Sequence, residues 1–344
     1  MSDAKVKVLV TGAAGFIGSH ICRHLIREGC QVVALDDLSG GFADHVPPEA
    51  EFVRGSINDE ALINDLFATH RFEEVYHLAA YAAEGLSHFI KHFNYTNNLL
   101  GSVNLINASV NHGVKLFVFT SSIAVYGRNQ LPMREELVPA PEDPYGIAKY
   151  AVELDLAESH EMFGLNYAVF RPHNVYGEHQ NLGDPYRNVI GIFMNRILRG
   201  EPLTIFGDGT QTRAFSYIDD VAPAIVSVRH RPEAWNQVFN VGADTPYEVR
   251  RLADVIAADF GVKTPEIQFL PARNEVEHAY CSHEKIRRFF PETARAATLE
   301  EGVAKMGAWA RKVGSREGQP FGKIEVPKNM PPSWAALTLN QARK

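Results

Sequence analysis

The chain has few cysteines. Only Cys22, Cys30 and Cys281 occur in 344 residues; the number is odd and no pair has a C-x-x-C spacing. That excludes a disulfide frame and a cysteine-based zinc site, and it predicts reduced thiols in a cytoplasmic protein. No other metal site is read. Positive charge is not in excess either: 34 Lys and Arg stand against 41 Asp and Glu, for a net charge of −7 and a pI near 6.1. A nucleic-acid partner is therefore not expected, because phosphate backbones are bound by basic faces. A small anionic ligand, which needs only local arginines, stays open. No apolar run approaches the roughly 20 residues of a membrane helix, and Met1 to Lys5 leads to the first strand with no apolar leader. Internal repeats and low-complexity segments are absent. The length suffices for a large core, as one big domain or two intertwined ones.

What is present begins at Val6. Val6, Val8, Leu9 and Val10 make a short apolar run that breaks into Gly12, Gly15 and Gly18, and an amphipathic pattern follows through Ile21, Leu25 and Ile26. This is a strand, a tight glycine turn and a helix. Such a turn lets backbone N–H groups and the positive helix end approach a pyrophosphate that any Cβ would obstruct. Phe16 and Ile17 lie within the glycine run. A second apolar run, Gln31 to Leu35, ends in Asp36, about where a carboxylate accepts hydrogen bonds from a dinucleotide ribose. A carboxylate repels a 2′-phosphate, so the expected cofactor is NAD rather than NADP. Asp37, Ser39 and Gly40 follow in a flexible loop beside the adenosine position.

Further strands are expected at 51–53, 74–77, 116–120, 167–170 and 238–242. Helices are expected at 61–67, 97–110, from Asp143-Pro144 to Gly164, and at 188–199. Alternation of this kind predicts an α/β fold with a doubly wound parallel sheet, the Rossmann arrangement. Small residues after the fourth strand, Leu78, Ala79 and Ala80, would let a cofactor approach the sheet edge. The fifth strand runs into Ser122. On the helix that Asp143 caps and Pro144 begins, Tyr145 and Lys149 are four apart and share a face. An ammonium beside a phenol favours the phenolate, so Lys149 is expected to lower the Tyr145 pKa for proton transfer. A Tyr-x-x-x-Lys spacing is common; its place after a strand-end serine, in a chain that opens on a glycine turn, makes it informative.

The glycine spacing G-x-x-G-x-x-G, the Ser122, Tyr145 and Lys149 set, Arg171-Pro-His-Asn-Val-Tyr-Gly177 and the run Phe206 to Asp220 together resemble the extended short-chain dehydrogenase/reductase superfamily, within it the NAD-dependent epimerase/dehydratase family. The resemblance spans roughly Val6 to Arg288. It implies a cofactor domain over 1–177 with returns near 214–242, a smaller substrate-binding lobe over 178–318, a C-terminal tail from 319 and a homodimer. It places Ser56, where relatives carry an aspartate, and Ile57 near the adenine, and Leu78 to Ala80 near the nicotinamide ribose. It has Asn98 bracing the active-site backbone and sets His173 where relatives have an aromatic ring beside the nicotinamide. Asn174, Asn188, Arg213 and Arg273 fall at positions that touch the nucleotide sugar, with Arg213 the best diphosphate ligand because a guanidinium forks onto phosphate oxygens. Trp334 and Leu337 are expected to anchor the tail to the body or to a partner.

The same resemblance bears on the reaction. Dehydratases of the family resemble Thr-Asp-Glu-Val-Tyr-Gly after the fifth strand, and decarboxylases Thr-Ser-Glu-Val-Tyr-Gly. Here the run is Ser122-Ile-Ala-Val-Tyr-Gly127, with both acid positions apolar. The expected activity is 4-epimerisation of a nucleotide sugar, a UDP-hexose or UDP-hexuronate, through a 4-keto intermediate. A dehydratase, decarboxylase or reductase drawing its acid from elsewhere, with Glu84 the suspect, and a non-catalytic NAD-binding sensor are the alternatives.

Overall fold

The computed structural model describes residues 5–272, 276–293, 296–318 and 320–341. Seven strands make the main sheet: Lys7–Thr11 (β1), Gln31–Asp36 (β2), Glu51–Arg54 (β3), Glu74–His77 (β4), Leu116–Thr120 (β5), Tyr167–Pro172 (β6) and Gln237–Val241 (β7). Their order is β7-β6-β5-β4-β1-β2-β3, and every neighbouring pair is parallel. The strands inside the sheet are buried and largely apolar on both faces, as a parallel sheet between two helix layers requires, and the edge strand β3 is only half-buried. Val8, Val10, Val32, Ala34, Val118, Phe170 and Phe239 enter one core with Ile21 and Leu25 of helix Phe16–Arg27 and Val221 and Ile225 of helix Ile218–Ser227. The alternate residues Leu9, Val33, Leu35, Val75, Phe117, Phe119 and Val169 enter the other, against Ile63 and Phe67, Leu105 and Ile106, and Val152 and Leu156 from three further helices. Strand order reverses between β1 and β4, which opens a crevice at the carboxyl ends of those strands.

The elements differ from the expected ones mainly at their ends. The helix expected at 61–67 runs Glu60–His70, because Asp59 caps Leu62 N at 3.0 Å and the last turn continues to a left-handed Arg71. The helix expected at 97–110 starts at Lys91 and passes through a π turn, Thr96–Leu100, before Gly101–Asn111. Asn97 and Asn98 lie inside that turn, and polar content hides a helix from a reading based on apolar periodicity. The helix expected at 188–199 covers Val189–Leu198, with Asn188 left-handed at its start and no side-chain cap. Helix Pro144–Phe163 matches its signals: Asp143 accepts from Gly146 N at 2.9 Å and Gly164 closes it in the left-handed region.

The smaller lobe is built from short sheets, Leu203–Phe206 with Ile267–Leu270 and Thr212–Ala214 between Pro246–Glu248 and His278–Ala279, packed with helices Val189–Leu198, Val249–Asp259 and Leu299–Val313. Leu203, Ile205, Leu252, Ile256 and Met306 join the core that contains Val8 and Phe170, so sheet and lobe are continuous. Among the described residues no helix is long and apolar enough to cross a membrane.

Candidate active site

A cleft of about 1330 Å³ runs along the carboxyl edge of the sheet and into the lobe. Its floor is the glycine turn. Gly12 has φ +68°, and a Cβ there would lie 2.7 Å from Ala79 N; a Cβ on Gly18 would lie 2.1 Å from Gly12 O. Helix Phe16–Arg27 begins at Gly15 with no side-chain cap and no acidic residue in its first turn, so its N–H groups face the cleft without a competing anion. Asp36 Oδ2 accepts from Ala14 N at 3.0 Å and Oδ1 from Leu38 N at 2.8 Å, which ties the carboxylate to the glycine turn and leaves one lone pair on each oxygen for ribose hydroxyls. Burial pushes the Asp36 carboxyl above its ordinary range, against the backbone N–H groups of Leu38, Ala14 and Gly15, which favour its ionised form. Asp37, Ser39, Gly40, Ser56, Ile57, Leu78, Ala79 and Ala80 line the same channel. This cradle fits a dinucleotide. Gly18→Ala is expected to reduce NAD affinity by at least about tenfold, or 1.4 kcal/mol, readable by titration of the cofactor; undiminished affinity would contradict the cradle.

Asn98 lies beneath the cleft rather than in it. It is buried, accepts from Tyr81 N at 2.8 Å and donates to Tyr81 O at 3.2 Å and to Asn94 Oδ1 at 2.8 Å. It braces the backbone after β4, and its neighbour Asn97 reaches the cleft. The bracing role implied for Asn98 matches these bonds, and Asn98 does not itself line the cleft with the other cofactor-side residues.

Ser122, Tyr145 and Lys149 meet at the middle of the cleft. Ser122 caps the turn Ile123–Tyr126, accepting from Ala124 N at 3.1 Å. Tyr145 and Lys149 are buried on one face of their helix, with the ammonium 5.9 Å from the phenol ring centroid and donating to Thr120 O at 2.8 Å. The expected lowering of the Tyr145 pKa is not what the protein alone produces. Burial pushes the phenol up, a hydrogen bond with Ser122 works the other way, and Asp143 and Glu84 add to the rise. Burial also weakens the cation that was to do the lowering: Lys149 is pushed down to about 7, against the opposing pull of Glu153. Desolvation thus outweighs the pairwise attraction. The folded chain releases the Lys149 proton near 7, the unfolded one near ~10.4. Between those values the unfolded chain binds more protons, so stability of the unliganded protein rises with pH across that window. Lys149→Met should flatten that rise in denaturation measured from neutral to alkaline pH; an unchanged slope would contradict it.

On the lobe side Asn174, Asn188 and Arg213 line the cleft together with His173. Asn174 Nδ2 donates to Ala214 O at 3.2 Å, and His173 Nδ1 donates to the same carbonyl at 3.0 Å. His173 is buried, its Nε2 3.1 Å from His283 Nε2, and desolvation pushes it down to about 3, so the ring is neutral. Its hydrogen bonds show it fixing β6 to the lobe. Arg213 donates to Glu277 O at 2.8 Å and Val276 O at 2.5 Å, which fixes the guanidinium at the wall. Asn174, Asn188 and Arg213 also line a smaller recess of about 170 Å³ with Thr204, Phe206 and Gln211. Arg273 lies outside the described residues.

The model of the NAD dependent epimerase/dehydratase family matches residues 8–242. The chain belongs to this family. The UDP-glucose 4-epimerase of Mycolicibacterium smegmatis is 35% identical over 310 residues, covering 87% of this chain and 97% of that protein. The structure of UDP-glucose 4-epimerase with UDP-glucose from Thermotoga maritima is 35% identical, covers 90% of this chain and 99% of that one, and has a TM-score of 0.83. The structure of UDP-glucuronic acid 4-epimerase from Bacillus cereus, in complex with UDP-glucuronic acid and NAD, is 28% identical, covers 90% and 100%, and has a TM-score of 0.81.

Against this family frame, three features of the cleft were not singled out from sequence. Arg187 pairs with Asp184 (Nε to Oδ2, 2.6 Å), lies 4.6 Å over the Tyr81 ring and sits beside Gly40. It is a cation between the cofactor loop and Tyr145, and the polar run Asp184-Pro-Tyr-Arg-Asn188 was its only signal. Glu153, on the helix of Tyr145, holds Ser121 Oγ at 2.5 Å and Arg171 Nε at 3.0 Å in a buried network. The third is the place of the C-terminal segment 326–334 in the cleft: Trp334 anchors the tail to the body, as expected, and the segment it holds lines the cleft. Glu84 is exposed at the cleft beside Tyr145, whereas Ile123 and Ala124 keep the dehydratase acid positions apolar.

Proposed function

We propose that this protein is an NAD-dependent nucleotide-sugar 4-epimerase acting on a UDP-hexose or UDP-hexuronate. The observation that carries the reading is the combination in one cleft of a dinucleotide cradle, the Ser122, Tyr145 and Lys149 cluster, and apolar Ile123 and Ala124. Reversible oxidation at C4 needs one group to take and return a proton, and a 4,6-elimination needs a further acid and base. NAD, when bound, supplies the hydride acceptor and donor. Tyr145 Oη, in its phenolate form once cofactor and substrate are bound, takes the proton of the sugar 4-hydroxyl as C4 gives up a hydride, and returns that proton after the other face of the sugar has been presented. Ser122 shares that proton through its hydroxyl. Lys149 supplies positive charge behind the phenol and holds the cofactor ribose. Arg213 holds the diphosphate together with Asn174, and Asn188 touches the nucleotide sugar; Arg187 adds charge on the cofactor side.

In this reading residues 1–177, with the returns near 214–242, carry the cofactor and 178–318 the nucleotide sugar. The three cysteines are buried and free, in keeping with a cytoplasmic location. The protein acts as a homodimer through helix Gly101–Asn111 with the π turn before it and helix Pro144–Phe163, where Leu100 of the turn and Ile147 and Leu154 of the second helix are 56%, 42% and 51% exposed. A second copy would cover that apolar surface. Leu154→Glu is expected to shift the protein to a monomer in sedimentation; a dimer in both forms would remove this face from consideration.

The functional reading is tested by NMR of the protein with UDP-glucose, UDP-galactose, their N-acetyl forms and UDP-glucuronate. Inversion at C4 with no loss of water or carbon dioxide is expected. A 4-keto-6-deoxy or pentose product would favour the elimination chemistry instead.

A further inference from the structure

The segment 320–341 is clamped across the cleft at two points. At the first, Glu325 accepts from His92 N at 2.7 Å and Phe93 N at 2.9 Å, and the N–H groups of Glu325 and Val326 donate to Phe89 O at 2.8 and 3.1 Å. Phe321 reinforces it, 5.2 Å from the Tyr81 ring and 4.9 Å from Phe93, with its N–H donating to Tyr186 Oη at 3.1 Å. At the second, Trp334 is 4% exposed, packed 5.4 Å from Tyr186 and 6.3 Å from Phe89. A Cβ on Gly85 would lie 3.2 Å from the indole. Between the clamps, Val326 and Lys328 to Ser333 line the same cleft as Ser122 and Tyr145.

This wall lies on the Gly85 and Tyr186 side of the cleft. It touches Gly85, next to the Glu84 that acts on the Tyr145 phenol, and Tyr186, next to Arg187. The recess with Thr204 and Gln211, beside Arg213, lies in the lobe sheet. A substrate whose reacting carbon is at Tyr145 and whose diphosphate is at Arg213 therefore directs its glycosyl ring toward the segment.

We propose that residues 326–334 form a fixed wall of the glycosyl subsite and determine which sugar substituents this enzyme accepts. The inference rests on the epimerase reading for the identity of the ligand. Clamped backbone offers a wall that does not yield, so a substituent either fits against Met330, Pro331 and Trp334 or is refused. The wall also keeps water from the sugar while the keto form turns.

Three proteins test this against the full chain: Trp334→Ala, Glu325→Ala, and a chain ending at Gly318. Calorimetry compares UDP with the UDP-sugar that the full chain binds most tightly. The expected result is a loss of about tenfold or more for the UDP-sugar, 1.4 kcal/mol, with UDP affinity unchanged. The ratio of kcat/KM for N-acetylated over plain hexose should move by a similar factor. Equal losses for UDP and UDP-sugar, or no loss in folded Trp334→Ala and Glu325→Ala proteins, would overturn the proposal. If the shortened chain does not fold, the two point variants decide. A full chain that binds UDP-sugars and turns over none of them would sink the epimerase reading and leave the binding comparison to judge the wall.

Discussion

Tyr145→Phe is expected to lower epimerase turnover by about 10²–10⁴-fold, the usual contribution of a positioned acid–base group, with the NAD content of the purified protein unchanged. The side chain keeps its ring and loses only the hydroxyl. Tyr145 lines the cleft and is buried on the helix that Asp143 caps, so the ring stays where packing puts it. The cradle at Gly12, Gly18 and Asp36 does not involve the phenol. Cofactor content and turnover should therefore separate cleanly. Ser122→Ala should have a smaller effect, because its hydroxyl assists the phenol and does not replace it. A Tyr145→Phe protein retaining more than a third or so of its turnover would remove the phenol from the mechanism.

Glu153→Ala is expected to cost about 3–5 kcal/mol of folding stability, the range for breaking a buried ion pair by removing one partner. The Glu153 and Arg171 side chains are 5% and 4% exposed. Arg171 Nε donates to the carboxylate at 3.0 Å, Ser121 Oγ donates at 2.5 Å, and Arg171 Nη1 already lacks a partner. Alanine would strand a buried guanidinium over the Tyr126 ring, 4.7 Å from its centroid. The pair ties β5, which delivers Ser122, to β6 and to the helix of Tyr145 and Lys149, so activity should fall with stability. Chemical denaturation reads the loss directly; a loss under about 1 kcal/mol, the range of an exposed pair, would mean that the network is solvated.

The sheet was legible because its signal is strong and local. Runs such as Val8 to Val10 and Leu116 to Thr120 are apolar without interruption, and Gly12, Gly15 and Gly18 punctuate strand and helix where only glycine fits. Helix Pro144–Phe163 announced itself through Asp143, Pro144 and Gly164. The start of the helix at Lys91 was not legible, because Asn94 and Asn98 are polar residues buried for their hydrogen bonds to Pro144 O and to Tyr81. The direction of the Tyr145 shift was misjudged because desolvation depends on burial by residues distant in sequence. Arg187 and the segment at Trp334 reach the cleft through tertiary packing alone, and neither carries a periodic pattern.

The most direct test of the central claim uses a UDP-hexose labelled with deuterium at C4, incubated with the purified protein in ordinary water without added NAD. Epimerisation by transfer from C4 and return to the opposite face predicts an epimer that keeps its deuterium at C4 and takes up no solvent hydrogen at C4 or C5. Loss of the label from C4, or solvent hydrogen at C5 with a 6-deoxy product, would contradict the account.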